Sequence, residues 1–206
     1  MMIVLLRTIL QTGLFITAHD AMHGLLLPVS SSWNHRVGAA CLWFYAALPY
    51  RRCRHQHQRH HAHSGSDLDP DFCGDPSVGV LGWYCRFMAG YLSPGQMLQL
   101  LSGWGLMTWS LGSLHAHGWI SVLLVCVLPL FLSSLQLFLF GTYLPHRSQQ
   151  GPHGMERPSS LDLPGWLSLL ACFHFGYHRE HHDHPHLAWF QLPSVHGAPS
   201  RWLAAS

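Results

Sequence analysis

Charged residues are scarce in this chain, and their scarcity excludes several classes of protein. Only 10% of the 206 residues are Asp, Glu, Lys or Arg, whereas soluble domains carry about 25%. The formal net charge of +2 is too small to indicate a nucleic-acid-binding surface, so we expect no nucleic-acid partner. The length fits one domain better than two, and we expect a single domain over residues 1–206.

Paired cysteines and the common zinc-protease motif are also missing. The six cysteines include no C-x-x-C pair, which indicates isolated thiols in a reducing compartment rather than a disulfide framework. The motif H-E-x-x-H does not occur, so a zinc protease has no support in the sequence.

The sequence contains several long apolar runs with little or no charge. The run 119–144 exceeds the roughly 20 residues that a spanning helix needs. An uncharged run at 97–114 precedes it, and the short H-A-H-G between the two predicts a helical hairpin. The N-terminal run 1–18 contains Arg7, which argues against a cleaved signal peptide. These runs predict an all-α integral membrane protein.

Histidine is the most over-represented residue type. The chain has 19 histidines, whereas ordinary usage would give about five. Eight of them fall into three clusters with spacings of i, i+3 and i+4, which lie within an arc of about 100° on a helix. We therefore expect each cluster to point its imidazoles in one direction. The three histidine boxes are His19 and His23; His57, His60 and His61; and His178, His181 and His182.

Eight imidazoles converging on one place exceed what a single metal ion can use. Zinc would take four ligands, often including Cys or carboxylate, whereas two irons with five or six ligands each would use eight or nine. Imidazole also suits copper, nickel and zinc, so the ligand type leaves the metal open. A single box could instead belong to a solvated helix face or loop, but three boxes together make coincidence improbable.

Segment lengths predict that all three boxes lie on one side of the membrane. The chain between His23 and His57 is shorter than the roughly 40 residues that two crossings need. The apolar runs 37–50 and 163–177 should therefore lie along the interface or re-enter, and the polar segments 51–75 and 147–162 are predicted loops. The box side also carries five arginines, which makes it cytoplasmic by the positive-inside rule. They are Arg51, Arg52, Arg54, Arg59 and Arg147.

The phrases around the boxes resemble a known family. "LRTILQTGLFITAHDAMHG", "LDPDF", "SSLQLFLFGTYLPHR" and "ACFHFGYHREHHDHPHLAWFQLP" are similar to bacterial and cyanobacterial β-carotene ketolases of the membrane fatty-acid desaturase/hydroxylase superfamily. The resemblance runs from Leu6 to Pro193. It implies a desaturase-like bundle of about three to four transmembrane helices with a cytoplasmic histidine-box cap, in the bacterial cytoplasmic membrane. It also implies a non-haem di-iron oxygenase with O₂ as co-substrate, a ferredoxin-like electron donor and a carotenoid substrate that gains a keto group at carbon 4.

The resemblance also implies roles for individual residues. It assigns the catalytic, metal-binding role to the eight box histidines and adds His146 as a ninth ligand, with His174 as the competing candidate. Carboxylates near the boxes are candidates to orient imidazole N–H groups, namely Asp20, Asp69 and Glu180, whereas a turn role is favoured for Asp71. Interfacial aromatics that could line the access of an apolar substrate are Trp33, Trp43, Phe44, Trp83, Trp189 and Phe190.

Two alternatives remain open at this point. The first is another enzyme of the superfamily, a carotenoid 3-hydroxylase or an acyl-lipid desaturase, because the boxes alone do not separate these. The second is a membrane metal transporter or storage protein, although transporters need polar groups within their spans and 119–144 has few, Gln136 being the main one. The family usually has one more hydrophobic helix ahead of "LRTILQTG", so we expect either a shortened member or an internal start.

Overall fold

Helices make up all the regular secondary structure in the part of the chain that this computed structural model describes, residues 1–75, 77–114, 116–147 and 158–198. The sixth helix is continuous but contains two wider π-helical segments, Leu123–Val127 and Leu139–Tyr143. A 3₁₀ turn, Trp189–Ser194, follows the last helix. The helices are α1 Met2–Met22, α2 Ser31–Ala46, α3 Tyr50–His63, α4 Val80–Tyr91, α5 Pro94–Gly112, α6 Gly118–His146, α7 Gly165–Cys172 and α8 His178–Asp183.

Two of these helices, α1 and α6, are long and apolar enough to cross a membrane. Their most apolar windows have mean hydropathies of 1.4 and 2.5. Helix α1 leaves Leu5, Leu6 and Ile9 about half exposed, which suits contact with lipid rather than with water. The fold therefore agrees with the predicted all-α membrane protein.

Helices α5 and α6 form the hairpin that the two uncharged runs predict. Ser93 caps the start of α5 by accepting a hydrogen bond from the Gln96 amide at 3.3 Å, and Pro94 occupies the first turn. The helices meet closely at Gly118, where an added Cβ would lie 2.7 Å from the Gly112 nitrogen. Only glycine fits this contact, which fixes where α6 begins.

The core lies where α1, α2 and α6 pack together near the histidines. Ile16, Leu42 and Cys172 are almost fully buried in it. Asn34, which has no exposed surface, donates to the Ala21 carbonyl at 2.7 Å and accepts from the Leu26 amide at 3.1 Å. Because these bonds tie α2 to the chain on both sides of His23, they hold the end of the first box in place.

Polar side chains inside α1 and α6 are paired with each other. Thr12 bonds the Ser133 hydroxyl at 2.8 Å and the Gln136 amide oxygen at 2.7 Å. Arg7 donates to the Val125 carbonyl at 3.1 Å, within the first π-helical segment, where the wider turn disturbs the usual hydrogen-bond ladder. Such interhelical hydrogen bonds join membrane helices that hydrophobicity alone does not hold together.

The loop prediction for residues 51–75 is wrong over its first half. Helix α3 occupies Tyr50–His63 because Tyr50, Cys53, His57 and His60 form a buried stripe at helical spacing. The apolar run 37–50 overlaps α2, which has 16 residues, and the run 163–177 overlaps α7, which has 8. Both are too short for a straight crossing of about 30 Å, as predicted. Most of the second predicted loop, residues 148–157, lies outside the described residues.

Candidate metal centre

Four helices deliver nine histidines to the same end of the bundle. His19 lies in the last turn of α1, and His23 directly follows that helix. Helix α3 contributes the second box and α8 the third, while His146 is the last residue of α6. The boxes therefore come together although they are far apart in sequence.

The ring nitrogens of these histidines form two groups of four. Within each group one ring nitrogen from every member lies within 4.8 Å of the others. His23 Nε2 is 2.7 Å from His57 Nε2 in one group, and His60 Nε2 is 3.0 Å from His182 Nε2 in the other. The first group is His19, His23, His57 and His181; the second is His60, His146, His178 and His182.

His61 lies between the two groups. Its Nε2 is 2.9 Å from Nε2 of His181 in the first group, and its ring stacks on His182 of the second with centroids 4.2 Å apart. His61 therefore contacts both groups.

The expectation that each box points in one direction is wrong for the second and third boxes. His57 joins the first group and His60 the second, while His181 separates from His178 and His182. The reason is geometric. At 100° per residue, position i+3 lies about 60° to one side of position i, and i+4 lies about 40° to the other. A single helix can therefore serve two centres.

The electrostatics of most of the cluster suit a metal ion and not a network of protonated imidazoles; His60 is the exception, since burial lowers its pKa but the hydrogen bond to Asp69 raises it overall. Burial lowers the pKa of His57, His178, His181 and His182 well below its usual range, and neighbouring histidines lower it further. The same causes bring the pKa of His61 to about 2. At neutral pH these rings are uncharged, and each has one ring nitrogen with a free lone pair to offer.

Buried nitrogens without hydrogen-bond partners point the same way. Neither ring nitrogen of His19 or His146 has a partner within the described part of the chain, and both side chains are almost fully buried. Burying a polar group without a partner costs free energy. A metal ion bound to each group would satisfy one nitrogen of each of these rings, so the donor set fits metal binding.

Asp69 holds one of the box histidines in a defined orientation. The Nδ1 of His60 lies 2.9 Å and 3.0 Å from the two carboxylate oxygens of Asp69, which leaves Nε2 facing its group. The carboxylate also accepts from the Gly65 and Asp71 amides at 3.0 Å and 2.9 Å. Burial alone would raise the pKa of Asp69, but the hydrogen bond from His60 and these amides lower it overall. Asp69 therefore stays ionised beside His60, within hydrogen-bond distance of its Nδ1.

The other acidic candidates are placed differently. Asp20 lies 3.6 Å from Nδ1 of His19, beyond hydrogen-bond distance, and accepts from the Trp189 amide at 3.3 Å. The carboxylate of Glu180 accepts from Ser160, from Arg179 at 2.8 Å and from His196 at 3.1 Å. It contacts no box imidazole in the described part of the chain, so the prediction that Glu180 orients one is not matched.

The structure distinguishes His146 from His174, the two candidates for the ninth ligand. His146 belongs to the second group, whereas His174 stacks on Tyr177 with centroids 5.5 Å apart and lies outside both groups.

The carboxylate of Asp71 accepts a hydrogen bond from the Tyr91 hydroxyl at 2.9 Å. Burial raises the pKa of Asp71 to about 6. Nothing in the sequence marks Tyr91, because it lies outside every box.

A small cavity of about 40 Å³ lies between the histidines of the two groups. His19, His57, His60 and His178 form its polar side, and Phe15, Tyr91, Leu137 and Thr142 are among the residues that close it. This volume exceeds the 10–15 Å³ that one water-sized molecule needs. We call this space the histidine cavity, and it has room for one small molecule beside the histidines.

Comparison with known proteins gives one family. Residues 1–203 match the family described as "Fatty acid desaturase". A "Beta-carotene ketolase" from a Paracoccus species is 41% identical over 198 residues, covering 91% of this chain and 75% of the relative. Another, from Paracoccus strain PC1, is 40% identical over 190 residues, covering 90% and 74%. A "Beta-carotene ketolase" from Haematococcus lacustris is 36% identical over 202 residues, covering 94% and 61%. No solved structure matches.

Proposed function

This chain belongs to the fatty acid desaturase family, and from that premise we propose that it is a membrane-bound carotenoid ketolase. The reaction would convert the methylene group at carbon 4 of a β-ionone ring into a ketone. The observation that carries the proposal is the similarity to β-carotene ketolases at 36–41% identity over most of the chain. The two histidine groups supply a metal site that such chemistry requires.

The metal centre is proposed to hold two non-haem irons, one per histidine group. The eight box histidines and His146 would be the ligands, with His61 within reach of both groups. Two irons with O₂ would supply the oxidant for a strong allylic C–H bond, which no side chain can break by itself. Asp69 keeps the His60 ring in place, and the surrounding core limits access of water. Two successive oxidations of one carbon, followed by loss of water, give the ketone.

The electrons would come from a separate ferredoxin-like carrier. Helix α3 carries His57 and His60 on its buried side, and Arg51 and Arg59 are exposed on its outer side. An acidic carrier docked on this basic side would lie one helix away from the metal ligands. Turnover by the purified protein is then expected to require an added carrier and to weaken as salt screens the contact.

The membrane arrangement is proposed to be three to four transmembrane helices with the histidine boxes on the cytoplasmic side of the bacterial membrane. Arginines of α3 lie at the box end, in keeping with the positive-inside rule. Ala116, in the exposed turn between α5 and α6, should then face the opposite side. A cysteine at Ala116 that is labelled only from the cytoplasm would contradict this arrangement.

The remaining alternatives are less well supported. The polar groups in α6 are engaged in helix contacts, since Gln136 bonds Thr12 and the Ala171 carbonyl. A transport path would need polar groups turned toward water. A carotenoid 3-hydroxylase or an acyl-lipid desaturase would use the same histidines, and the similarity to ketolases is what favours ketone formation.

Expression in cells that make β-carotene tests the proposal. The pigment is expected to become first the mono-ketone echinenone and then the di-ketone canthaxanthin, because each β-carotene has two rings. The conjugated ketone lengthens the chromophore, so cells should change from yellow-orange toward red. Chromatography of the pigments measures the conversion, and iron chelation or anaerobic growth should stop it. A 3-hydroxylated product, or untouched β-carotene alongside protein that accumulates intact, would contradict the proposal.

A further inference from the structure

An apolar cavity of about 260 Å³ lies inside the bundle, next to the histidine cavity. Its walls come from α1, α2, α4, α5 and α6, and nearly all of the exposed wall surface is carbon. Large side chains shape it, including Tyr45, Phe87, Leu100, Trp104 and Leu130. None of the six aromatics suggested from sequence for substrate access lines it. One of them, Trp83, is buried elsewhere and donates to the Asp71 carbonyl at 3.0 Å.

The apolar cavity adjoins the histidine cavity. Phe15, Phe87, Tyr91 and Leu137 line both spaces. A molecule that fills the apolar cavity would therefore meet the donor nitrogens once it passes these four side chains. The contact between the two spaces indicates that they serve one ligand.

The two cavities together follow the length of α6. Val127 and Leu130 line the apolar cavity, and Gly141 and Thr142 line the histidine cavity. At 1.5 Å per residue this stretch of helix spans roughly 20 Å. Phe131, which lines the apolar cavity, is 49% exposed on the outer surface of the bundle, so the cavity wall reaches the surface that lipid would cover. This shape suits a long ligand that comes from the lipid.

The walls offer little to a polar headgroup. Among their polar side chains, the Tyr84 hydroxyl pairs with Ser134 at 2.7 Å, and the Ser134 hydroxyl also lies 2.8 Å from the Phe131 carbonyl. The hydroxyl of Tyr91 donates to Asp71. A carboxylate or phosphate buried there would compete for hydroxyls that already have partners, at a cost in free energy. A hydrocarbon without a polar end meets no such cost.

We propose that the apolar cavity binds the polyene chain of a carotenoid and directs one of its rings into the histidine cavity. The volume is below the roughly 300–1,000 Å³ of pockets for drug-sized ligands, so it holds only part of a forty-carbon molecule. The second ring would stay outside the cavity, in the bilayer. This inference rests on the proposed function for the identity of the ligand, and it assigns the binding residues that the histidines do not supply.

Filling the cavity while sparing its surroundings tests the assignment. Leu100 lines the cavity, and the next residue, Leu101, is 56% exposed on the outside of the same helix. In the iron-loaded protein, Leu100→Trp is expected to lower β-carotene binding by about tenfold or more, since the indole would occupy space that the polyene needs. Leu101→Trp should bind as the unaltered protein does. Binding is measured by titration of purified protein with β-carotene, and iron content is measured in parallel.

A second pair of variants, on α6, tests the same assignment if Leu100→Trp fails to fold. Val127 lines the cavity and Leu124, one turn away, is 39% exposed. Val127→Trp should weaken binding and Leu124→Trp should not, with iron content unchanged in both. Normal binding by both cavity-filling variants would overturn the assignment, even if the protein makes ketone. Binding that is lost in those variants, in a protein that never oxidises β-carotene, would support the cavity and overturn the ketolase instead.

Discussion

Replacing His57 or His178 with alanine is expected to abolish ketone formation. The two residues belong to different histidine groups, and each variant removes one buried imidazole from the ligand set that we propose for its metal ion. If both metals take part in the reaction, the loss should be at least about 10³-fold for either variant, comparable to the loss of other essential catalytic groups. The measurement is the yield of keto-carotenoid in cells that make β-carotene.

His117→Ala is the matched control for this loss. His117 is exposed in the turn between α5 and α6, at the other end of these helices from His146. Its removal should leave the pigment profile unchanged. A near-normal ketone yield from His57→Ala or from His178→Ala would remove that residue, and the group it belongs to, from the proposed centre.

Gly141→Leu is expected to disable the enzyme without touching a ligand. A Cβ at Gly141 would lie 2.6 Å from the ring of Phe175, and that ring packs edge-on against His19 with centroids 4.7 Å apart. The larger side chain must displace Phe175, and the displacement moves His19 or closes the histidine cavity, which Gly141 also lines. Overpacking of this kind costs about 1–3 kcal/mol of stability, and we expect ketone formation to fall by about tenfold or more.

Gly105→Leu separates this effect from the general cost or benefit of replacing glycine in a helix. An added Cβ at Gly105, on α5, meets nothing within 4 Å, and leucine has the higher helix propensity. This variant should be as stable as the unaltered protein and equally active. Activity and thermal unfolding are measured on both proteins. Equal activity of Gly141→Leu and Gly105→Leu would show that Phe175 does not help to position the centre.

The histidine spacing in the sequence was enough to predict eight of the nine histidines in the cluster, and His146 was suggested only by the family resemblance. His19 and His23 at i, i+4, and the two H-x-x-H-H boxes, have a periodicity that only a helix face explains, so their convergence followed from segment lengths. The division into two groups of four did not follow. It depends on the approach angles of α1, α3 and α8, which tertiary packing sets and which one chain's periodicity does not encode.

Residues that act from outside the boxes were harder to predict. Asp69 was a candidate because it lies near the second box, and it does bond His60. Glu180 was a candidate for the same reason, yet its carboxylate turns to Arg179 and His196, because neighbours on a helix point in different directions. Tyr91 and Leu100 carry no sequence signal for a cavity. An aromatic or aliphatic residue in an apolar helix looks the same whether it faces lipid, core or an internal space.

The helices themselves could also be predicted only in part from the sequence. The hairpin of α5 and α6 was predictable from two uncharged runs and a short polar turn. Helix α3 was mistaken for a loop over 51–63 because its composition is polar, and mean polarity hides a buried stripe of four residues. In a membrane protein the helices that hold the site can be the most polar ones, since they line the metal centre and not the lipid.

Metal analysis of the purified, ketone-forming protein tests the central claim most directly. If each histidine group holds one iron, elemental analysis should find two irons per chain in protein that retains its activity. Protein reconstituted with zinc alone should be inactive, since zinc has no redox chemistry. An active preparation with zinc as its only metal, or with a single iron per fully active chain, would contradict the account.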